Sequence, residues 1–147
     1  MSLGHSAIAL PCDVTVDEQL NALVENSLPH FGAIDVLVVN AGGQPAPEST
    51  SLSPNSAAYD ATFRLNRTQA VRLTDLVAPH MAERGSGNIV LISSISGLRG
   101  NKAIGSYALA KDAVAQLARN LAVQWGPRNI GPMQSPRDSS TRHSRED

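Results

Sequence analysis

The first 130 residues alternate between short apolar runs and longer stretches of helical periodicity. The apolar runs, at 7–10, 34–39 and 88–92, contain few polar residues, which is typical of parallel strands covered on both faces. Apolar residues recur at helical spacing over about 17–31, 57–84 and 106–125. This alternation predicts an α/β fold built on a parallel sheet.

Individual residues indicate where some of these elements begin and end. Thr15 is the predicted N-cap of the first helix, with Asp17 and Glu18 in its first turn and Gly32 at its end. Residues 44–56 are rich in Pro and Ser and predict a loop. Residues 131–147 have Met133 as their only large apolar residue. We therefore predict one domain over 1–130 and a disordered tail over 131–147.

Length and charge narrow the class of protein. A chain of 147 residues has the size of one domain, and its net charge of -1 does not indicate a nucleic-acid or anionic-membrane partner. No run reaches the roughly 18 apolar residues of a membrane-spanning helix. No signal peptide is visible either, so we expect a cytoplasmic protein.

Cysteine and histidine offer little chemistry in this sequence. The single cysteine, Cys12, excludes an internal disulfide and follows a predicted strand, so we interpret it as an inert packed thiol. The four histidines, at positions 5, 30, 80 and 143, show no ligand spacing. We predict no metal site.

Tyr107 and Lys111 form a Y-x-x-x-K motif within the last predicted helix. A separation of four residues places both side chains on one helical face. The bare motif is weak, and its simplest interpretation is a surface pair. The residues around the motif favour a functional interpretation, because Ser94 lies 13 residues before Tyr107 and Asn66 lies 28 residues before Ser94.

Three of the accompanying motifs follow predicted strands. Asp13 and Val14 follow the first strand, Asn40-Ala41-Gly42 follows the second, and Ser94 follows the third. In open α/β sheets, ligands bind beyond the carboxyl ends of the strands. This placement is independent of the spacing between the motifs.

With these motifs in this order, the chain resembles the short-chain dehydrogenase/reductase family over about residues 5–130. The resemblance implies a partial Rossmann-like, doubly wound parallel sheet, with strands equivalent to the family's third, fourth and fifth. It also implies an NAD- or NADP-dependent oxidoreductase that transfers a hydride between nicotinamide and a small-molecule alcohol or carbonyl substrate.

The resemblance assigns the chemical roles. Tyr107 is the expected general acid/base. A free phenol titrates near pH 10, about three units too high for this work, and Lys111 would favour the phenolate and bind the nicotinamide ribose. Ser94 would steady the substrate oxygen, with Ser93 and Ser96 as competing candidates.

The remaining roles concern a water relay and the cofactor. Asn66 would anchor a water that passes protons to the lysine; the alternative is a buried polar group that caps the helix. Asp13, with Val14, would bind the adenine amino group, unless Asp13 is only a solvated turn residue. Asn40, Ala41 and Gly42 would let the backbone approach the adenine-side ribose of the cofactor, unless they form a plain strand-terminating turn.

One motif of the family is missing. The sequence has no glycine-rich turn T-G-x-x-x-G-x-G, which cradles the cofactor's pyrophosphate at a helix N-terminus. We therefore expect weak or absent cofactor binding by this chain, which is interpreted as an inactive fragment with an unpaired apolar edge at 36–39.

The sequence after Ile130 departs from the family's usual continuation, R-(V/A)-N-A-I-A-P-G. A reading shifted by one base permits R-A-N-A-I-A-P-G-L-I-D-T-P, and Met133 followed by Gln134 forces one of its alanines. The hypothesis is a one-base deletion near Ile130. Sequencing the gene around codon 130 and upstream of Met1 tests it.

Two other interpretations stay open. The helices at 57–84 and 105–126 correspond to those that usually form a dimer interface in the family, so the chain could be a non-catalytic interaction fragment. It could also be a nucleotide-binding regulator. The intact parent is expected to be a homo-oligomer.

Overall fold

The structure is a computed structural model that describes residues 7–45, 56–100 and 102–137. Helices and strands alternate along these residues. The elements are α1 (Asp17–Phe31), β1 (Val36–Val39), α2 (Ser56–Phe63), α3 (Gln69–Arg84), β2 (Gly87–Ser94), α4 (Gly105–Trp125) and β3 (Ile130–Arg137). A π-helix, Arg64–Thr68, joins α2 to α3, and 3-10 turns follow β2 (Ile95–Leu98) and α4 (Gly126–Arg128). None of the helices in the described segments is both long and apolar enough to cross a membrane.

The strands form one sheet in the order β1-β2-β3, and both strand pairs are parallel. Val39 pairs with Leu91, and Gly87 pairs with Ile130. Helices α2 and α3 connect β1 to β2, and α4 connects β2 to β3. The predicted α/β fold with a parallel sheet is confirmed, and the carboxyl ends of β1 and β2 lie at the same edge of the sheet.

Within the described residues, helices cover one face of this sheet. Alternate residues of a strand point to opposite faces. The covered face packs against buried residues of α1, α3 and α4 and carries Leu37, Val39, Ile89, Leu91 and Ile130. Val36 and Val38 point the other way and are 54% and 56% exposed. The expectation of strands covered on both faces is therefore wrong for β1.

Helix α1 ends as predicted but begins one residue later than its predicted cap implies. Gly32 adopts a left-handed conformation (φ 74°), and its N–H donates to Leu28 O at 2.7 Å. The N-cap residue is Val16, which has no side chain able to cap. The hydroxyl of Thr15 donates instead to Asp13 Oδ1 at 2.7 Å. The prediction of Thr15 as the N-cap is wrong, because that hydroxyl is engaged in the preceding turn.

The helix predicted over 57–84 is present, but a π-helical turn interrupts it. At the interruption, Asn66 Nδ2 donates to Thr62 O at 2.8 Å. In an uninterrupted α-helix that carbonyl would accept the backbone N–H of Asn66. The Asn66 side chain thus bonds to the helix backbone just before the π-helical turn, and such turns are frequent at functional sites.

Two predictions at the ends of the domain are wrong. Residues 7–10 do not form a strand, and Ala7, Ile8 and Ala9 are exposed. A strand needs a neighbour for its backbone N–H and C=O groups, and no strand in the described part of the chain pairs with this segment.

At the other end, 131–137 belong to β3 and pair with β2. Their predicted disorder is wrong because backbone pairing does not require apolar side chains. Pro132 and Pro136 lie four residues apart, so both missing N–H groups face the same side of the strand, which an edge strand tolerates. Residues 138–147, and 46–55 of the predicted loop, lie outside the described residues.

Candidate active site

Lys111 is a buried cation at the centre of the site. The residue is 4% exposed, and its Nζ donates to Ile92 O at 2.9 Å. A buried ammonium requires such partners, since loss of water otherwise penalises its charge. The Lys111 side chain thus links α4 to the carboxyl-terminal part of β2.

Two further contacts fix the backbone of α4 against the end of β2. Ser93 Oγ donates to Lys111 O at 2.8 Å. A Cβ atom placed on Gly97 would lie 2.8 Å from Asp112 N, so the 3-10 turn packs directly on the helix backbone. Both the main chain and the side chain of Lys111 therefore depend on residues that follow or belong to β2.

Tyr107 lies in the first turn of α4, four residues before Lys111, and is half-buried. Lys111 Nζ lies 5.8 Å from the centre of the Tyr107 ring. This distance is within the range of a cation–π interaction. The structure therefore brings together the two residues of the Y-x-x-x-K motif.

The three candidate serines have different environments. Ser93 is committed to the carbonyl of Lys111. Ser94 is buried at the end of β2, and its Oγ accepts a hydrogen bond from Ser96 N at 3.2 Å. That bond caps the 3-10 turn and uses an acceptor site, so the hydroxyl proton of Ser94 can still be donated. The geometry favours Ser94 over Ser93 as a substrate-binding hydroxyl.

Asn66 is buried and holds the turn that follows β1. Its Oδ1 accepts from Gly43 N at 3.0 Å, and its Nδ2 donates to Gly43 O at 2.6 Å. A Cβ atom on Gly42 would lie 2.8 Å from Asn66 Oδ1 and 3.0 Å from Lys111 Nζ. The turn therefore lies directly against both side chains, and its close approach requires glycine at position 42.

Asn40 and Gly42 are exposed, and Ala41 is half-buried. Ala41 O accepts a hydrogen bond from Gln69 Nε2 at 3.0 Å. Of residues 40–42, Gly42 is the one that lies against Lys111, and the amides of Asn66 and Gln69 hold the backbone on either side of it.

Asp13 and Val14 lie apart from this cluster. The exposed Asp13 carboxylate accepts from Thr15 N at 2.9 Å and from the Thr15 hydroxyl. The backbone hydrogen bond, with the hydroxyl second, lowers the pKa of Asp13 below its ordinary value. Val14 packs against the core. The described hydrogen bonds of Asp13 are local, but Arg64 Nε donates to Thr15 O at 2.7 Å and so ties this turn to the π-helix.

Cys12 is partly buried against the core and forms no disulfide. Burial raises the pKa of its thiol, and the neighbouring Asp13 carboxylate adds to the effect. A high thiol pKa agrees with its interpretation as an inert thiol. No group of three potential metal ligands occurs in the segments that the structure describes, and His5 and His143 lie outside them.

Sequence reasoning missed Gln69 and treated Ser93 only as a competitor of Ser94. Gln69 lies three residues after Asn66, a spacing that puts both side chains on one helical face. That spacing could have indicated a second amide directed at the turn. The role of Ser93 depends on a contact between β2 and α4, which residue spacing does not reveal.

Comparison with known protein families shows which proteins this chain resembles. Residues 1–133 match the family model described as short chain dehydrogenase. A curated relative, 7alpha-hydroxysteroid dehydrogenase of Escherichia coli (strain K12), is 37% identical over 129 residues. The match covers 87% of this chain and 49% of the relative. The chain thus spans about half the length of the curated relatives it matches.

Solved structures agree with the fold. Levodione reductase superposes with a TM-score of 0.83 at 30% identity, covering 87% of this chain and 49% of that protein. A 7 alpha-hydroxysteroid dehydrogenase in complex with NADH and 7-oxo glycochenodeoxycholic acid superposes with a TM-score of 0.78 at 34% identity. That match covers 84% of this chain and 47% of the other.

Proposed function

Because the chain belongs to the short-chain dehydrogenase family, we propose that it carries the catalytic residues of an NAD(P)-dependent oxidoreductase acting on an alcohol or carbonyl group. The observation that carries this proposal is the buried Lys111 ammonium, which lies against both the Tyr107 ring and the Gly42 turn. A surface pair of tyrosine and lysine would not require burial of the cation or a glycine beside it.

The described residues fit the nucleoside part of a dinucleotide. The turn at 40–42 is made of small residues, which allows close approach of the adenine-side ribose. Lys111 would bind the nicotinamide ribose, while Asp13 and Val14 would flank the adenine. The sequence contains no glycine-rich turn for the pyrophosphate. We therefore propose weak or absent binding of NAD or NADP by the 147-residue chain.

The proposed mechanism assigns proton transfer to Tyr107. Its phenol oxygen takes the proton of an alcohol during oxidation and returns it to the carbonyl oxygen during reduction. The nicotinamide, when bound, supplies the complementary hydride chemistry. The Lys111 ammonium places a positive charge 5.8 Å from the centre of the Tyr107 ring. Ser94 donates its hydroxyl proton to the substrate oxygen, and Asn66 anchors a water that relays protons to Lys111.

The main experiment uses a full-length, frame-repaired form of the protein, assayed with secondary alcohols and ketones that include hydroxysteroids. Tyr107→Phe should abolish hydride transfer, measured by nicotinamide absorbance, because it removes the proton donor, while cofactor binding is retained. Lys111→Ala should impair both hydride transfer and cofactor binding. Tyr59→Phe is the matched control, since Tyr59 is the other tyrosine and stacks on Phe63.

Two results would contradict the proposal. Turnover by Tyr107→Phe comparable to that of Tyr59→Phe would contradict the acid/base role of Tyr107. Titration of the 147-residue chain alone with NADH should show no change in NADH fluorescence that indicates binding. Micromolar binding of NADH would contradict the proposed weak or absent cofactor binding.

A second candidate function, a subunit-binding fragment, is favoured by one observation. Leu98, Leu109 and Val123, in the turn before α4 and along it, are 64%, 54% and 81% exposed. If this surface forms an interface between copies, sedimentation should give a dimer that Leu109→Lys and Val123→Lys dissociate. A monomer at all concentrations would exclude it.

A further inference from the structure

Two helical amides hold the backbone of the turn at 41–43. Asn66 bonds both the N–H and the C=O of Gly43, and Gln69 Nε2 bonds the C=O of Ala41. These contacts flank Gly42 on either side, and Gly42 is the residue that lies against Lys111. The carbonyl of Ala41 lies beyond Val39, the last ladder residue of β1. No neighbouring strand satisfies it, so the side chain of Gln69 does.

Gln69 is an unusual residue for its environment. It is 2% exposed, and its Oε1 atom is buried without a hydrogen-bond partner among the described residues. Methionine would fill similar space without burying an unpaired acceptor, whose desolvation is unfavourable. The amide therefore has one evident use at this position, which is the hydrogen bond from Nε2 to Ala41 O.

We propose that Gln69 is a positioning residue that keeps the 41–43 turn closed over the Lys111 ammonium. With the turn closed, Gly42 covers the ammonium, which stays bound to Ile92 O. Without the Gln69 donor, only Asn66 holds the turn among the described side chains, and Lys111 becomes accessible to solvent more often. The role of the closed turn in catalysis rests on the function proposed above. The closure itself can be measured without cofactor or substrate.

The sequence provides an internal reference for this measurement. Lys102 and Lys111 are its two lysines, and Lys102 is exposed. The 147-residue chain is treated with an amine-modifying reagent at fixed pH, and modification of each lysine is followed by mass spectrometry. In the wild-type chain, Lys111 should react more slowly than Lys102. Equal rates in the wild-type chain would overturn the proposal.

Gln69→Met is the principal variant. Modification of Lys111 should accelerate about two- to tenfold, the factor expected for losing one net hydrogen bond that closes a local segment. The rate at Lys102 should not change. The unfolding midpoint should change little, because loss of the hydrogen bond to Ala41 O is offset by removal of the buried unpaired Oε1 acceptor. A merely structural role would instead lower the midpoint and expose Lys111 in proportion.

Two more variants complete the test. Gln69→Asn keeps the amide but is one methylene too short to reach Ala41 O, so it should also accelerate modification of Lys111. It replaces Gln69→Met as the deciding variant if the latter does not fold. Gln124→Met is the control, because Gln124 is an exposed glutamine near the end of α4. An unchanged Lys111 rate in a folded Gln69 variant would refute the proposal, whatever the catalytic activity of the parent enzyme.

Discussion

Gly42 and Gly43 are adjacent glycines that should respond in opposite ways to the same substitution. A Cβ atom at position 42 would lie 2.8 Å from Asn66 Oδ1 and 3.0 Å from Lys111 Nζ, whereas one at position 43 meets nothing within 4 Å. Neither glycine has a positive φ, so alanine can adopt both conformations. Gly42→Ala must therefore displace the Asn66 amide or the Lys111 ammonium, and Gly43→Ala displaces neither.

The expected difference in unfolding free energy follows from two effects. Replacing glycine by alanine reduces the entropy of the unfolded chain, which stabilises each variant by about 0.4–1 kcal/mol. This gain is common to both substitutions and cancels in their comparison. Displacing Asn66 Oδ1 from Gly43 N leaves buried polar groups unpaired, which costs about 1–3 kcal/mol. Gly42→Ala should thus be less stable than Gly43→Ala by about 1–3 kcal/mol.

Urea unfolding of both variants tests this difference. The fluorescence of Trp125, the single tryptophan, packed against the core, and the far-ultraviolet circular dichroism give two independent signals. Equal m-values would show that the variants expose similar surface on unfolding, so that midpoints can be compared. Equal stability of Gly42→Ala and Gly43→Ala would refute the close contact between the turn, Asn66 and Lys111.

Two further predictions concern the sheet and the Asp13 turn. Leu91→Ala should lower the unfolding free energy by about 2–5 kcal/mol, because Leu91 is 0% exposed on the covered face. Val38→Ala, on the other face, should lower it by less than about 1 kcal/mol. Similar losses for both variants in urea unfolding would contradict a core on one face of the sheet. The depressed pKa of Asp13 means that its carboxylate stabilises the fold above the unfolded pKa of about 3.9, and that this contribution is lost as pH falls through the folded value. Asp13→Asn should therefore reduce stability at pH 7, and this loss should shrink as pH falls below about 3.9; a loss that does not change with pH would show another cause.

Much of the element order from α1 to α4 could be read from the sequence because it depends on local patterns. Apolar runs and helical periodicity predicted β1, β2, α1, α4 and a single helix over the residues of α2 and α3, with Gly32 ending α1. The motif Y-x-x-x-K placed Tyr107 and Lys111 on one face of α4, because helix geometry alone decides that relation. The resemblance to a family of known mechanism then supplied the roles of Ser94 and Asn66, which stay predictions.

Tertiary contacts decided what local patterns could not. Residues 7–10 have the composition of a strand yet lack a neighbour, while 131–137 lack that composition and pair with β2. Strand formation depends on an available partner edge as well as on residue type. Thr15 fails to cap α1 for a local reason, since its hydroxyl donates to Asp13 Oδ1.

The candidate site shows the same division. The sequence by itself placed Tyr107 and Lys111 on one face of a helix, and the family resemblance assigned proton transfer to them. Only the tertiary structure decided that Ser93 binds the carbonyl of Lys111 and that Gln69 holds Ala41. These contacts join residues 18 and 28 positions apart. Their existence depends on how β1, β2, α3 and α4 pack together, which no local spacing contains.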